Sequence, residues 1–231
     1  MSEPFFFEKN LPSSDEFVLS EETSRHVVQV LRMNEQEQIV LTNGKGHTQI
    51  AEIISTDKKK TKVKIVRRTY SEQTTPKTAI AISLIKNTNR FEWFIEKATE
   101  IGISSIFPLI CKRSEKTHFR MERIHSILIS AMLQSQQSWL PEITNPQRFD
   151  DVVKNENYEQ KFIAHCLEGK KKQLKDVTIE SASKIVLIGP EGDFTPEEIE
   201  LATGQNYIPI TLGKTRLRTE TAGIVAAVSI K

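Results

Sequence analysis

The sequence has little of what marks a secreted, membrane-spanning or cysteine-rich metal protein. Its 231 residues include only two cysteines, Cys111 and Cys166, which form neither a disulfide framework nor a closely spaced metal motif. Both are expected to be reduced core residues. The longest apolar runs, 79–85 and 223–230, are far too short to cross a bilayer, and the start of the chain lacks the pattern of a signal peptide. These absences predict a cytoplasmic protein with no membrane partner.

An excess of charge of one sign is missing as well. The chain has 32 Lys and Arg against 30 Asp and Glu, a formal net charge of +2, which excludes a polybasic protein that binds nucleic acid by overall charge. Basic residues nevertheless crowd one predicted hairpin region, at positions Lys58, Lys59, Lys60, Lys62, Lys64, Arg67 and Arg68. On a strand, Lys62 and Lys64 would share one face. The pattern indicates either a surface for a nucleic-acid backbone or a solvated edge strand that lysines protect from aggregation.

The rhythm of apolar residues changes near residue 70. Before it, a short helix within 21–33 and β-branched segments at 38–42, 48–55 and 61–66 predict a small, mostly antiparallel β domain. After the polar segment 70–77, apolar strands alternate with helices, which predicts an α/β domain with a largely parallel sheet. The predicted strands are 78–84, 104–109, 161–165, 184–188 and 207–211, and the predicted helices are 90–101, 120–137, 196–203 and 220–230.

Neither common phosphate-binding glycine motif occurs, but a different glycine loop, 189–194, directly follows the strand 184–188. A helix should begin after it, with Thr195 as N-cap and Glu198 three residues later. Glycine lets a ligand approach the backbone at the carboxyl end of a strand. Because Asp193, Glu197 and Glu198 crowd the positive end of that helix, a phosphate is disfavoured there. A neutral or cationic cofactor fits better.

A second glycine turn, at Gly213, follows the strand 207–211 and precedes Arg216, Arg218 and Glu220, which gather opposite charges just before the last helix. The five histidines show no metal spacing, and no serine nucleophile motif occurs. We therefore expect a reaction that needs no metal. His165 ends a predicted strand and could line a pocket, but we expect it to be a core histidine whose hydrogen bonds are satisfied.

Several motifs in the same order resemble those of a known family. They are Lys86, Arg90, the run Glu96-Lys97-Ala98-Thr99-Glu100-Ile101-Gly102, Arg113-Ser114, Gly189-Pro190-Glu191-Gly192, and Leu212-Gly213 through Arg216-Leu217-Arg218-Thr219-Glu220-Thr221-Ala222. Together they resemble the bacterial small-subunit ribosomal RNA uridine N3-methyltransferase family of the SPOUT superfamily. His26, Leu31 and Arg32 match its PUA-like domain, so the resemblance covers nearly the whole chain.

The resemblance implies a PUA-like β-barrel at 1–72 and a SPOUT α/β domain with a trefoil knot at 76–231. It implies S-adenosylmethionine as cofactor, small-subunit ribosomal RNA or the assembled 30S subunit as partner, and a homodimer with the active site near the subunit interface. The implied reaction is methylation of N3 of a specific uridine in 16S ribosomal RNA. Two alternatives stay open, a SPOUT enzyme that modifies another atom such as a ribose 2′-hydroxyl, and a non-catalytic ribosome-assembly factor.

Site residues carry over position by position. The implied cofactor pocket consists of Leu187, Ile188, Gly189, Gly192, Leu212, Gly213, Leu217, Arg218 and Thr219. The expected catalytic residues are Arg218 and then Arg216 for the developing uracil charge, with Glu220 to orient an arginine or relay a proton. RNA contacts are expected from Lys62, Lys64, Arg67 and Arg68, helped by Arg32, Lys86 and Arg90. The sequence departs from the family at Asp193, where another glycine is frequent, and at Leu133 and Gln137.

Overall fold

The structure is a computed structural model that describes residues 3–231. The chain divides into two compact units. Among the described residues, the first contains 3–73 and 132–140, and the second contains 74–131 and 141–231. The predicted domain boundary between residues 72 and 76 stays a prediction.

The first unit is built on one five-stranded sheet. Its strands are β1 (Phe5–Phe7), β2 (Glu16–Val18), β3 (Gln38–Thr42), β4 (His47–Ser55) and β5 (Lys62–Tyr70). They lie in the order β1-β3-β4-β5-β2, with β1 parallel to β3 and the other pairs antiparallel. Between β2 and β3, helix α1 (Glu21–Arg25) continues as a π-helical turn (His26–Val30). The mostly antiparallel β domain is thus confirmed.

Alternation along the strands creates the core of this unit. Gln49, Ala51 and Ile53 of β4 are buried while their neighbours are partly exposed, because successive side chains of a strand point to opposite faces. The helical segment covers the buried face with Val27.

The second unit contains an eight-stranded sheet. Its strands are β6 (Thr78–Ser83), β7 (Ser105–Ile110), β8 (Glu142–Ile143), β9 (Gln147–Arg148), β10 (Gln160–Ala164), β11 (Lys172–Gln173), β12 (Lys184–Ile188) and β13 (Ile208–Thr211). The order is β11-β13-β10-β12-β6-β7-β8, with β9 also beside β7, and the pairs are parallel. The predicted parallel sheet is confirmed. Every residue of β6 and β12 is buried, as expected of central parallel strands.

Six helices accompany this sheet. They are α2 (Thr88–Ile101), α3 (Met121–Gln134), α4 (Phe149–Asn155), α5 (Leu174–Val177), α6 (Pro196–Gly204) and α7 (Thr219–Ile230). Among residues 3–231 there is no helix long and apolar enough to cross a membrane. Because β13, β10 and β12 are adjacent and parallel, the loops after them leave the sheet at the same edge.

Candidate functional site

A cavity of about 550 Å³ opens at the carboxyl ends of β10, β12 and β13. Its volume lies within the range of small-molecule sites. The walls come from the loop after β10, the glycine loop after β12, and the segment between β13 and the first turn of α7, with Arg90 of α2 added. The two glycine loops that the sequence singled out therefore meet at one site.

Most of the predicted cofactor residues line this cavity. They are Ile188, Gly189, Leu212, Gly213, Leu217, Arg218 and Thr219. Leu187 and Gly192 lie elsewhere: Leu187 is fully buried in the core, and the carbonyl of Gly192 accepts a hydrogen bond of 2.6 Å from Arg113 Nη1. The role of each residue toward a cofactor stays a prediction.

The glycine loop after β12 accepts hydrogen bonds from two other segments of the chain. Arg113 reaches its Gly192 carbonyl, and the backbone N–H of Lys86 donates to Glu191 Oε1 at 3.1 Å. Inside the loop, a Cβ placed on Gly189 would lie 3.1 Å from the buried ring of Phe194. The close packing of this ring leaves little room for a side chain at the position and keeps the loop backbone next to the cavity.

The predicted capping box at the start of α6 is confirmed. Thr195 Oγ1 accepts from the backbone N–H of Glu198 at 3.3 Å, and Glu198 Oε2 accepts from the backbone N–H of Thr195 at 2.8 Å. The second oxygen of Glu198 accepts from the N–H of Lys112 at 2.8 Å. This buried carboxylate therefore occupies the positive end of the helix, where a phosphate would otherwise bind.

Asp193 ties two loops of the cavity together. Its φ of 64° lies in the left-handed region, which glycine adopts freely and aspartate tolerates. Its Oδ1 accepts from the N–H of Phe194 at 2.8 Å, and its Oδ2 accepts from the N–H of Cys166 at 2.7 Å. The left-handed backbone conformation explains why glycine is frequent at this position in the resembled family. In this chain the aspartate side chain accepts two backbone hydrogen bonds that a glycine could not accept.

The loop after β10 corrects two expectations. Cys166 is exposed and lines the cavity, whereas Cys111 is buried as expected and its thiol pKa is raised by burial to about 12. His165 also lines the cavity, and its Nδ1 is buried without a hydrogen-bond partner among the described residues, so it is not a satisfied core histidine. Burial, and then the charge of Lys171, lower the pKa of its imidazole. A neutral imidazole beside the cavity suits a cationic ligand.

The charged residues of the cavity differ in their surroundings. Glu220 is only 7% exposed in the first turn of α7, and its Oε1 lies 3.6 Å from Arg90 Nε. Arg216 and Arg218 are exposed and line the cavity, and neither forms an ion pair with any of residues 3–231. Their charges are thus available to a ligand, while Glu220 is positioned by Arg90 and by the helix dipole.

A basic surface covers the outer face of β5. Glu52 of β4 pairs with Lys64 of β5, and Ile50 of β4 pairs with Arg67 of β5. A register shift lies between these two pairs, and it is a β-bulge that adds one residue on β5. The bulge places Arg67 on the same face as Lys62 and Lys64, although alternation alone would not. We call this set of three side chains the outer basic face.

The other predicted RNA contacts do not belong to the outer basic face. Arg68 pairs across the strands with the buried Gln49, and it donates to Asp15 Oδ1 at 3.2 Å. Arg32 is exposed with a φ of 53°. Lys86, in the second unit, is exposed and pairs with Glu115 at 3.0 Å. The outer basic face therefore contains three of the seven predicted RNA contacts.

Comparison with known proteins gives two family matches. Residues 71–231 match an RNA methyltransferase domain, and residues 19–66 match an RNA methyltransferase PUA domain. The chain is 28% identical over 228 residues to the ribosomal RNA small subunit methyltransferase E of Bacillus subtilis (strain 168), covering 93% of this chain and 89% of that protein.

Solved structures agree with these matches. A "probable rRNA-methyltransferase" from Porphyromonas gingivalis has a TM-score of 0.89 and 32% identity, covering 97% of this chain and 95% of the other. The ribosomal RNA small subunit methyltransferase E of Neisseria gonorrhoeae, bound to S-adenosyl methionine, has a TM-score of 0.88 and 26% identity, covering 99% and 96%. The predicted PUA-like and SPOUT α/β combination is confirmed, and the knot stays a prediction. The chain belongs to the RNA methyltransferase family, and its predicted place among the small-subunit ribosomal RNA methyltransferases of the SPOUT superfamily is confirmed.

Proposed function

We propose that this chain transfers a methyl group from S-adenosylmethionine to N3 of a uridine in small-subunit ribosomal RNA. The observation that carries the proposal is the meeting of both glycine loops with Arg216, Arg218 and Glu220 around one cavity. The Neisseria gonorrhoeae relative binds S-adenosyl methionine, and the Bacillus subtilis relative is named for the small ribosomal subunit. Both names agree with the proposed cofactor and RNA.

The residues of the cavity suit this cofactor. Backbone groups of the glycine loops can bond an adenine edge, while Ile188, Leu212 and Leu217 offer apolar contacts to its faces. The unpartnered Nδ1 of His165 has hydrogen-bonding capacity to spare, and the Glu198 carboxylate at the start of α6 disfavours a phosphate. When bound, S-adenosylmethionine supplies an electrophilic methyl group.

The chain's own residues must make a uracil nucleophilic. N3 of uracil carries a proton that has to pass to solvent water before the nitrogen can accept a methyl group, and the negative charge then spreads over the neighbouring carbonyl oxygens. Arg218, which lines the cavity and forms no ion pair with the residues that the structure describes, would stabilise that charge, with Arg216 in support. Glu220 is paired with Arg90, which favours the orienting role over the proton relay.

RNA would be held first through its phosphates. The outer basic face presents Lys62, Lys64 and Arg67 on one side of a sheet, an arrangement that suits contacts to a phosphate backbone. We expect the affinity for RNA to fall as salt is added. We also propose that the protein is cytoplasmic and forms a homodimer. Val228 on α7 is 63% exposed, and a second subunit would cover an apolar side chain of this kind.

The test is to incubate the protein with labelled S-adenosylmethionine and small ribosomal subunits, then digest the RNA and identify the nucleoside by mass spectrometry. We expect 3-methyluridine, at one mapped position. Arg218→Ala should lose most of the activity even at S-adenosylmethionine concentrations that calorimetry shows to be saturating, and Arg218→Lys should retain part of it. A 2′-O-methyl product would point to the other SPOUT chemistry. Failure to bind S-adenosylmethionine would favour a non-catalytic assembly factor.

A further inference from the structure

A second cavity, of about 350 Å³, lies beside the first and shares part of its wall. The shared residues are Arg90, Arg218 and Glu220, and the far side is formed by Asn87, Asn89 and Trp93. We infer that this second cavity, the Trp93 cavity, receives the uracil base of the target nucleotide, with the Trp93 ring as its stacking surface. The inference rests on the proposed methyl transfer and names the substrate site for it.

Trp93 is unusual for its helix. The neighbouring Phe91, Phe94 and Ile95 of α2 are buried in the core, whereas Trp93 is 43% exposed. An enzyme that modifies a base edge must take the base out of its stack and replace the lost stacking. An exposed indole ring at the mouth of a cavity supplies such a surface, because every base offers a flat π face.

Asparagines at the start of α2 suit the edge of a uracil. Asn87 is the N-cap of the helix, and its Oδ1 accepts from the N–H of Arg90 at 3.3 Å. That bond occupies the oxygen and leaves the amide N–H groups of Asn87 as donors. Uracil presents two carbonyl oxygens, one on each side of N3, which accept from such donors. The exposed Asn89 adds a second amide on the same wall.

The shared wall has the charge that the reaction needs. Arg90 and Arg218 contribute two positive charges, and Glu220 contributes one negative charge held 3.6 Å from Arg90. A base in the Trp93 cavity and a cofactor in the first cavity would lie next to each other where the two cavities meet, with these three side chains around the contact. The surplus of positive charge would stabilise a uracil that has lost its N3 proton.

Trp93→Ala and Trp93→Phe separate stacking from other roles. With small ribosomal subunits and labelled S-adenosylmethionine, Trp93→Ala should lower kcat/KM for the RNA by roughly 5- to 150-fold, the range for loss of one base–aromatic stack. Trp93→Phe should stay within a few-fold of wild type. Cofactor affinity by calorimetry should change less than twofold in both. Ile179→Ala, which trims another exposed apolar side chain that lines neither cavity, should match wild type.

A cross-linking measurement gives a readout independent of turnover. Subunits reconstituted with 5-bromouridine-containing RNA, irradiated with the protein and cofactor, should yield a cross-linked peptide that contains Trp93. Wild-type activity of Trp93→Ala, or no cross-link at Trp93, would overturn the proposal. So would a changed number of subunits in sedimentation of Trp93→Ala, because Trp93 would then belong to a subunit contact. An inactive wild type that binds no cofactor would instead refute the methyl transfer itself.

Discussion

Replacing Gly223 by alanine should destabilise the protein, because α7 crosses α2 there without room for a side chain. A Cβ on Gly223 would lie 2.6 Å and 2.8 Å from two ring carbons of Phe94, and 3.0 Å from Cδ1 of Ile82. Both neighbours are fully buried, so neither can swing into solvent. Gly223→Ala must therefore move α7, whose first turn carries Thr219 and Glu220 into the cavity wall.

Two opposing terms set the size of the effect. Overpacking a core by one methyl group costs about 1–3 kcal/mol, and contacts this short against an immobile ring favour the upper part of that range. Alanine in place of glycine in a helix interior contributes about 1 kcal/mol in the other direction. The net loss should be about 2 kcal/mol, which corresponds to a fall in Tm of about 4–8 °C for a chain of this length.

Gly204→Ala is the matched control. Gly204 ends α6, and a Cβ there would meet no atom within 4 Å. The same substitution should therefore leave stability unchanged or raise it by up to about 0.5 kcal/mol. Differential scanning calorimetry measures both variants and resolves the two units if they unfold separately. If Gly223→Ala were as stable as Gly204→Ala, the argument from close helix packing would be refuted.

The remaining predictions concern the walls of the cavity. In the native protein, a maleimide should label the exposed Cys166 but not Cys111, because burial raises the pKa of the Cys111 thiol to about 12. S-adenosylmethionine should slow the labelling of Cys166. Rapid labelling of both thiols would contradict the assigned burial. Burial lowers the pKa of His165 in the folded protein, so as the pH falls the unfolded chain binds a proton before the folded one does. The free energy of unfolding should therefore decline below about pH 6.5, the ordinary pKa of a histidine. His165→Asn should flatten this part of the Tm-against-pH curve, and an unchanged slope would exclude His165 as its source. Thr195→Ala removes an N-cap and should lower the free energy of unfolding by about 1 kcal/mol. Glu198→Ala should lower it further in urea unfolding, because it leaves two backbone N–H groups without their acceptor. The reverse order would show that the Glu198 bonds stabilise the fold less than the geometry suggests.

Local features of the fold were readable from the chain because they depend on neighbours in sequence. The strand 184–188, the glycine loop after it and the cap at Thr195 occur as predicted, since strand burial, turn chemistry and capping each involve only a few consecutive residues. The motif that ends in Glu220 likewise predicted the start of α7. Short elements with weak periodicity, such as α4 and α5, were not predicted.

The exposed position of Cys166 and the unpartnered Nδ1 of His165 required the three-dimensional structure. Both residues lie in a loop whose Cys166 N–H donates to Asp193, 27 residues further along the chain, and no local pattern around residue 165 contains that information. The signal that could have found them is their place directly after a strand of a parallel sheet, where ligand sites collect.

The sequence by itself determined the class of fold, the two glycine loops and the charged residues beside them. Tertiary structure alone decided which of those residues meet: the bulge in β5 turned Arg67 onto the face of Lys62 and Lys64, and α7 brought Glu220 within 3.6 Å of Arg90, 130 positions earlier. The Trp93 cavity also depends on that packing. The reason is physical, since strand periodicity and helix caps are encoded by adjacent residues, whereas register shifts and helix crossings depend on the balance of packing over the whole core.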